Sequence, residues 1–269
     1  MIERVRESGD MLAARCTELL RRAANGVPSA GIFLSYAEQV EVSALARSMG
    51  EESRLFLWGG YGEAERKKAF FVPDRYMPLE ELGDECTVCA AYFGDPICAL
   101  EMKGSGYKAL TNRDWLGAVL NLGIERDACG DIRTAGDSVA YMVCDRTVGD
   151  LIMQALERVG RDTVKVREIS LYEVEELIPK REFETLTDTV PAPRLDAIVG
   201  SVCRMAREKA KALVQCGAVQ CGGRVIEKPD RAVTNGDIIS VRGHGKFRIV
   251  SVTDQNKKGR FRLIAEKYK

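Results

Sequence analysis

"CRMAREKAKALVQCGAVQCGGRVIEKPDRAV", Cys203 to Val233, decides the architecture of the C-terminal part of the chain. "MAREKAKALVQCG" has the apolar spacing of a short helix that ends at Gly217. In "AVQC-GG-RVIE" two short extended runs are joined by Gly222-Gly223, the chemistry of a two-residue hairpin turn. At helical spacing Arg204, Arg207 and Lys211 fall within about 60° of one another. Ala206, Ala210, Leu213 and Val214 take the opposite side. One cationic stripe is thus backed by an apolar one. Arg224 follows the glycine turn, and Lys228 and Arg231 follow in the next loop. Upstream, "RLDAIVGSV" supplies a first helix that opens at Arg194. Downstream, "NGDIISVRG" adds a turn and a strand, and "KFRIVSV" and "RFRLIAEKY" pair as a terminal hairpin. Lys246 and Arg248, on the first strand of that hairpin, widen the basic set.

The charge balance gives this segment its meaning. The 269 residues carry 40 Lys/Arg and 40 Asp/Glu, so the chain is formally neutral. From Arg194 to Lys269, however, there are 17 bases against 7 acids, and the preceding residues hold 23 bases against 33 acids. A net of +10 facing a net of −10 suggests a basic module that meets a polyanion, carried on acidic domains that do not.

Three domains are expected, and the fold class is α+β. Residues 1–78 read as a mostly helical N-terminal domain. "SYAEQVEVSALARSMG" pairs Ser35 with Glu38 in a capping box and ends at Gly50. "RLFLW", 54–58, reads as a short buried strand, and the glycines of "GGYGEAERKKAFF" lead into a helix carrying Glu65 to Lys68. Residues 79–190 form the middle domain. There "PICALEM", "NRDWLGAVLNLG", "GDIRTA", "SVAYMVC", a helix over Val148–Val159 and "DTVKVREI" spell β-α-β-β-α-β. That order is ferredoxin-like, shared with the RNA-recognition motif. Base stacking in that motif uses strand aromatics, and the central strand here offers only Tyr141. "PKREFETLTDTVPAPRLD", with prolines at 179, 191 and 193, sits at the charge reversal and marks the boundary to residues 191–269.

Two resemblances follow from these residues. "RLDAIV", "CRMAREKAKALVQCG", "AVQCGGRVIEKPDRAV" and "TNGDIISV" together resemble the S4 RNA-binding domain. The match includes Arg194-Leu195-Asp196, Arg207 with Ala210, Leu213-Val214 with Gly217, and Asn235-Gly236-Asp237-Ile238-Ile239. Ala206 stands where that family usually has a helix-capping serine, and Gly222 where it often has asparagine. "GGYGEAERKKAFFVPDRY", "LTNRDWLGAVLNLGIERDACGDI" and "VRGHGKFR" extend the resemblance to the YlmH family of three-part bacterial S4 proteins, with Asn112 where histidine is common. The resemblance implies an S4 α/β-hairpin domain that contacts structured rRNA or tRNA. It also implies a role on large ribosomal subunits with stalled peptidyl-tRNA.

Other chemistry finds little support. Arg194-Leu195-Asp196 spells the aspartate motif of RNA pseudouridine synthases, but it opens the C-terminal helix with no catalytic domain around it. "RLFLWGGYG" lacks the G-x-G-x-x-G order of a methyltransferase cofactor loop. One histidine, His244, cannot supply the nucleotide motifs of a synthetase or a multi-histidine zinc site. Cys86-Thr-Val-Cys89 is a lone CxxC, and nine cysteines spread over this length read as reduced thiols. The N-terminus is charged from residue 3 onward, and no apolar run has the length of a membrane span.

The expectation is therefore a cytoplasmic, non-enzymatic RNA-binding protein with no cofactor, no metal and no catalytic residue. Arg194, Arg204, Arg207, Lys211, Arg224, Lys228, Arg231, Lys246 and Arg248 grip the RNA. The acidic N-terminal domains position it or meet a protein. The alternative is an RNA-modifying enzyme that docks through the same module.

Overall fold

The computed structural model describes residues 2–73, 93–255 and 259–268, and the chain is a mixed α+β protein. It divides into two compact units, Met1–Pro179 and Lys180–Lys269.

The first unit begins with α1 (Ile2–Ala24), β1 (Ser29–Leu34), α2 (Tyr36–Ser48), β2 (Leu55–Trp58) and β3 (Lys67–Phe71). Ser35 caps α2, accepting from the Glu38 backbone while the Glu38 carboxylate accepts from the Ser35 backbone N–H at 2.7 Å. Gly50, at a φ of 73°, ends the helical segment as the sequence suggested. α1 and α2 give this region more helix than strand, but the helix expected over Glu65 to Lys68 is corrected here. β1, β3 and β2 form an antiparallel sheet in that order, and "KKAFF" is a strand, not part of a helix. The reason is tertiary. Phe71 and Ala69 pack on α1 and α2 with Leu20, Val42 and Ala46, while Phe70 faces a second sheet. Pairing with β1 on one edge and β2 on the other holds the run extended while both its faces are buried.

That second sheet is built from β4 (Ile97–Gly104), α3 (Asn112–Leu120), β5 (Cys129–Ala135), β6 (Val139–Asp145), α4 (Arg146–Ala155), β7 (Arg158–Val159), β8 (Asp162–Ile169) and α5 (Leu171–Leu177). Its strands lie antiparallel in the order β5-β6-β4-β8-β7. The element sequence read from the chain is present, with the added short β7. α4 ends at Ala155, short of the expected Val159, because Arg158 and Val159 pair with Thr163 and Asp162. Thr111 caps α3 in a capping box with Asp114. Trp115, Val119 and Ile152 from the two helices bury against Cys98, Leu100, Met102 and Met142. The opposite face of the sheet is covered by the β1–β3 layer and by α5, and Tyr141, only 8% exposed, lies in one buried cluster with Phe33, Phe70, Val174 and Ile178.

The glycine turn between β2 and β3 is a structural joint. Asp131 accepts from the Tyr61 hydroxyl at 2.8 Å and from the backbone N–H groups of Glu65 and Arg66 at 2.7 and 3.0 Å. Glu175 accepts from the Gly62 N–H at 2.8 Å. Carboxylates of the chain itself thus occupy the donors that a phosphate-binding loop would offer. Gly59 permits the fold-back, since a Cβ there would lie 2.5 Å from the Arg66 carbonyl oxygen.

The second unit holds β9 (Phe183–Val190), α6 (Leu195–Val202), α7 (Arg207–Gln215), β10 (Val219–Cys221), β11 (Arg224–Val225), β12 (Ile238–Val241), β13 (Gly245–Gln255) and β14 (Phe261–Tyr268). The sheet is antiparallel in the order β11-β10-β12-β13-β14-β9. β9 lies inside the proline-bounded stretch taken above as a boundary; its threonines suit a strand, and it pairs with β14 from Phe183↔Tyr268 to Val190↔Phe261. Leu195, Ile198 and Val199 of α6 and Ala210 and Val214 of α7 bury against Val219, Ile239, Phe247, Ile249 and Leu263. Gly222 and Gly223, at φ values of 60° and 78°, make the tight β10–β11 turn. Two successive positive φ angles are the signature of a type I′ hairpin.

Cys86 and Cys89 lie outside the described residues. Among the described residues, no helix is long and apolar enough to cross a membrane, and no cluster of three His, Cys, Asp or Glu side chains has the geometry to hold a metal.

Candidate nucleic-acid interface

The two helices of the C-terminal unit are joined through one buried carboxylate. Asp196, in the first turn of α6, is 1% exposed. It accepts from Arg194 twice, Nε to Oδ1 at 3.1 Å and Nη2 to Oδ2 at 3.3 Å. It also accepts from Arg207 Nε at 3.0 Å, at the first turn of α7. Burial would raise the Asp196 carboxyl, but the hydrogen bonds from Arg207 and Arg194, together with their charges, hold it below its ordinary value. The aspartate stays ionised. One negative charge meets two positive ones, so a net positive charge remains. The Arg194 and Arg207 side chains stay 40% and 51% exposed, so donors are still turned to solvent. This occupancy also bears on the Arg-Leu-Asp motif: Asp196 is spent on orienting arginines.

A loop brings further bases to the same place. The Leu195 N–H donates to the Arg231 carbonyl and the Asp196 N–H to the Pro229 carbonyl, both at 2.9 Å. Arg194 and Ala232 form an isolated antiparallel bridge. Lys228, exposed, and Arg231, half-buried, therefore sit in a loop docked on the start of α6. Lys211 is exposed one turn beyond Arg207 on α7, with Lys209 exposed on the same helix. Arg194, Arg207, Lys211 and Lys228 form one neighbourhood, while Arg231 turns its guanidinium inward to Cys221 with Nη1 buried.

Four other residues do not join them there. Arg204 is not on α7: it lies in the turn between the helices at a φ of 51°, and its side chain lines hollows with Glu184, Val202 and His244 near β9. The three-residue helical stripe is corrected accordingly. α7 starts at Arg207, with Ala206 as an N-cap that has no side-chain hydrogen bond. Ala206 is exposed, and the apolar face of α7 is Ala210 and Val214 with half-buried Leu213. Arg224 is exposed at the hairpin tip. Lys246 and Arg248 project from the sheet face turned away from α6 and α7, because Phe247 and Ile249 occupy the core face. There Lys246 lies 4.8 Å over the Tyr268 ring, and Arg248 is 4.8 Å over Phe183 while its Nε donates to Glu266 at 2.9 Å. The alternation Lys246-Phe247-Arg248-Ile249 already carried that information. Lys209 is the residue that the sequence reading passes over, and Asp196 enters it as part of the Arg194-Leu195-Asp196 motif without its role in holding the arginines. Nothing local in the chain ties Asp196 to Arg207, eleven residues on.

Residues 98–173 match a family model described as "Putative RNA-binding domain in YlmH". The matched segment is the five-stranded sheet with its helices. The chain is 30% identical over 237 residues to the "Ribosome-associated protein quality control protein P2" of Bacillus subtilis (strain 168), covering 88% of this chain and 86% of that protein. It is also similar to the solved structure of "Cell division protein ylmH from Streptococcus pneumoniae", at 19% identity and a TM-score of 0.48, over 62% of this chain and 94% of that one.

Proposed function

The chain belongs to the YlmH family, and from that premise we propose that it is a non-enzymatic, ribosome-associated RNA-binding protein of the cytoplasm. Its C-terminal unit is an S4-type module that grips structured rRNA or tRNA, and its middle segment is a ferredoxin-like, RRM-like domain. In this reading residues 1–78, 79–190 and 191–269 are three domains. The first, with 11 bases and 11 acids, and the acidic second, with 12 against 22, position the basic third on the large subunit or meet a protein partner. The work is in ribosome quality control, on subunits carrying stalled peptidyl-tRNA. The name of the Bacillus subtilis relative supports the ribosomal part of this proposal.

The observation that carries the reading is the clasp of Arg194 and Arg207 on Asp196, with exposed Lys211 and Lys228 beside it in a segment of net charge +10; Arg231, turned inward, is proposed as a support of that loop. Arginine held by its Nε still offers terminal N–H groups in a fixed plane, which suits phosphate oxygens. Pinning the side chain in advance lowers the entropy cost of the contact. Arg204, Arg224, Lys246 and Arg248 are proposed as outlying contacts.

Filter binding of rRNA fragments tests this. Lys209→Ala/Lys211→Ala leaves the clasp intact and should weaken binding, with the log–log salt slope falling by somewhat under one unit for each phosphate contact removed. Arg207→Ala should weaken it further. Unchanged affinity in both would sink the assignment.

A further inference from the structure

We propose that residues 98–173 bear a second RNA-binding surface, centred on the exposed ring of Tyr107 at one end of the five-stranded sheet. The inference rests on the RNA-binding reading above and locates a contact that the C-terminal module does not supply. An RRM-type platform on the face of this sheet is closed off, because Tyr141 is buried there in one apolar cluster with Phe33, Val174 and Ile178. A nucleic acid must therefore meet this segment elsewhere.

Charge shows where. Within 98–173 there are 10 Lys/Arg and 12 Asp/Glu. Residues 103–114 and 157–165 hold 6 of those bases against 3 of the acids, leaving 4 bases against 9 acids in the rest. The fold joins these two stretches. Lys103 pairs with Lys165 across β4 and β8. The Ser105 N–H donates to the Asp162 carboxylate at 3.0 Å and to the Thr163 carbonyl at 2.9 Å, and its hydroxyl also donates to Asp162. Asp162 is fully buried. It clamps the start of the 105–111 loop against the β7–β8 turn that carries Arg161. Two residues past the clamp stands Tyr107, 71% exposed. Next to it Lys108 lies 3.9 Å from Asp114. Arg113 and Arg158 line a groove of about 520 Å³ between α3 and the end of α4. Arg158 and Arg161 make no ion pair or side-chain hydrogen bond with any described residue, whereas Lys103 and Lys165 alternate with Met102, Val164 and Val166 of the helix-side core and so project from the other face of the sheet.

The partner that fits is an RNA segment with an unpaired base. An exposed aromatic ring on a loop clamped to the turn that carries Arg161, with Lys108 next in sequence and Arg113 and Arg158 along the α3–α4 groove, offers a stacking surface and phosphate contacts together. A protein partner would need apolar area, and Tyr107 is the one exposed large apolar side chain among the described residues of 103–114 and 157–165.

The test uses the full chain and single-stranded fragments of large-subunit rRNA bearing 4-thiouridine. Photocrosslinks should map to residues 103–113. Tyr107→Ala should lower affinity about tenfold, with Tyr107→Phe restoring it, since stacking on an aromatic ring is lost in one and kept in the other. Arg113→Ala/Arg161→Ala should lower the salt slope by about 1.4 units. Unchanged thermal unfolding of these exposed-site variants separates lost contact from lost fold. Wild-type affinity in all of them, while Lys209→Ala/Lys211→Ala binds weakly, would overturn this surface and leave the C-terminal reading standing. Crosslinks from this loop to ribosomal protein alone would overturn it too. Failure of the wild-type chain to bind any fragment would bring down both.

Discussion

Arg207 donates from Nε to Oδ2 of Asp196 at 3.0 Å, tying the first turn of one short helix to the first turn of the next. Arg194 shares the same carboxylate. The basic face of the C-terminal unit is organised by an acid.

Asp196→Asn should therefore cost both stability and RNA affinity. Removing one member of a buried pair leaves the other without its counter-charge; with both arginines half-exposed, the cost should be about 2 kcal/mol rather than the larger values of closed sites. The folded carboxyl is held below its ordinary value, so its contribution is complete above about pH 4 and fades as pH falls through the folded value. Urea unfolding of wild type and variant should differ at pH 7 and converge in acid. A difference that does not change with pH would refute the clasp.

Ala206→Ser should stabilise the C-terminal unit. Ala206 has extended N-cap geometry at φ −61° and ψ 142° but no side chain to accept from the open N–H groups of α7. A serine hydroxyl supplies that acceptor and is worth about 1 kcal/mol. Thermal unfolding measures it, and no rise in Tm would show that solvent already satisfies those donors.

Lys68 and Asp145 should be strongly coupled. Lys68 is 4% exposed, and its Nζ lies 2.6 Å from Asp145 Oδ1 and 5.5 Å from the centre of the Phe33 ring. Burial pushes the Asp145 carboxyl up, with the lysine charge working against the shift. Asp145→Asn strands a buried ammonium and should cost about 3 kcal/mol, whereas Lys68→Met/Asp145→Asn should recover most of that loss. A double-mutant cycle with no coupling would refute the pair's role.

Gly223→Val should weaken the β10–β11 hairpin. Its φ of 78° is costly for a β-branched residue, by about 1–2 kcal/mol. Gly222→Asn, at 60°, should be nearly neutral because asparagine tolerates that region. Hydrogen exchange of the Ile226 amide, which donates to the Val219 carbonyl at 3.0 Å across the hairpin, reports it directly, and equal protection in both variants would contradict the turn assignment.

Local signals in the chain were enough wherever one segment decides its own conformation. The capping boxes at Ser35 and Thr111 and the Gly222-Gly223 turn rest on side chains or glycines within a few residues of the groups they satisfy. Hence α2, α3 and the hairpin were legible, as was the β-α-β-β-α-β order, whose periods switch cleanly between two and 3.6. "KKAFF" was not, because it is flanked by charged residues that suit a helix and is made a strand by partners in β1 and β2.

For the candidate site the division is the same. By itself the sequence determined that positive charge gathers after Arg194, and that a helix pair and hairpins would carry it, since charge and local propensity are properties of the residues present. Only the tertiary structure decided which cations share a surface. It set Arg207 and Arg194 on one aspartate, turned Lys246 and Arg248 to the other face of the sheet, and moved Arg204 off the helix. Side-chain direction depends on where the backbone packs, and that is fixed by contacts between residues far apart in the chain.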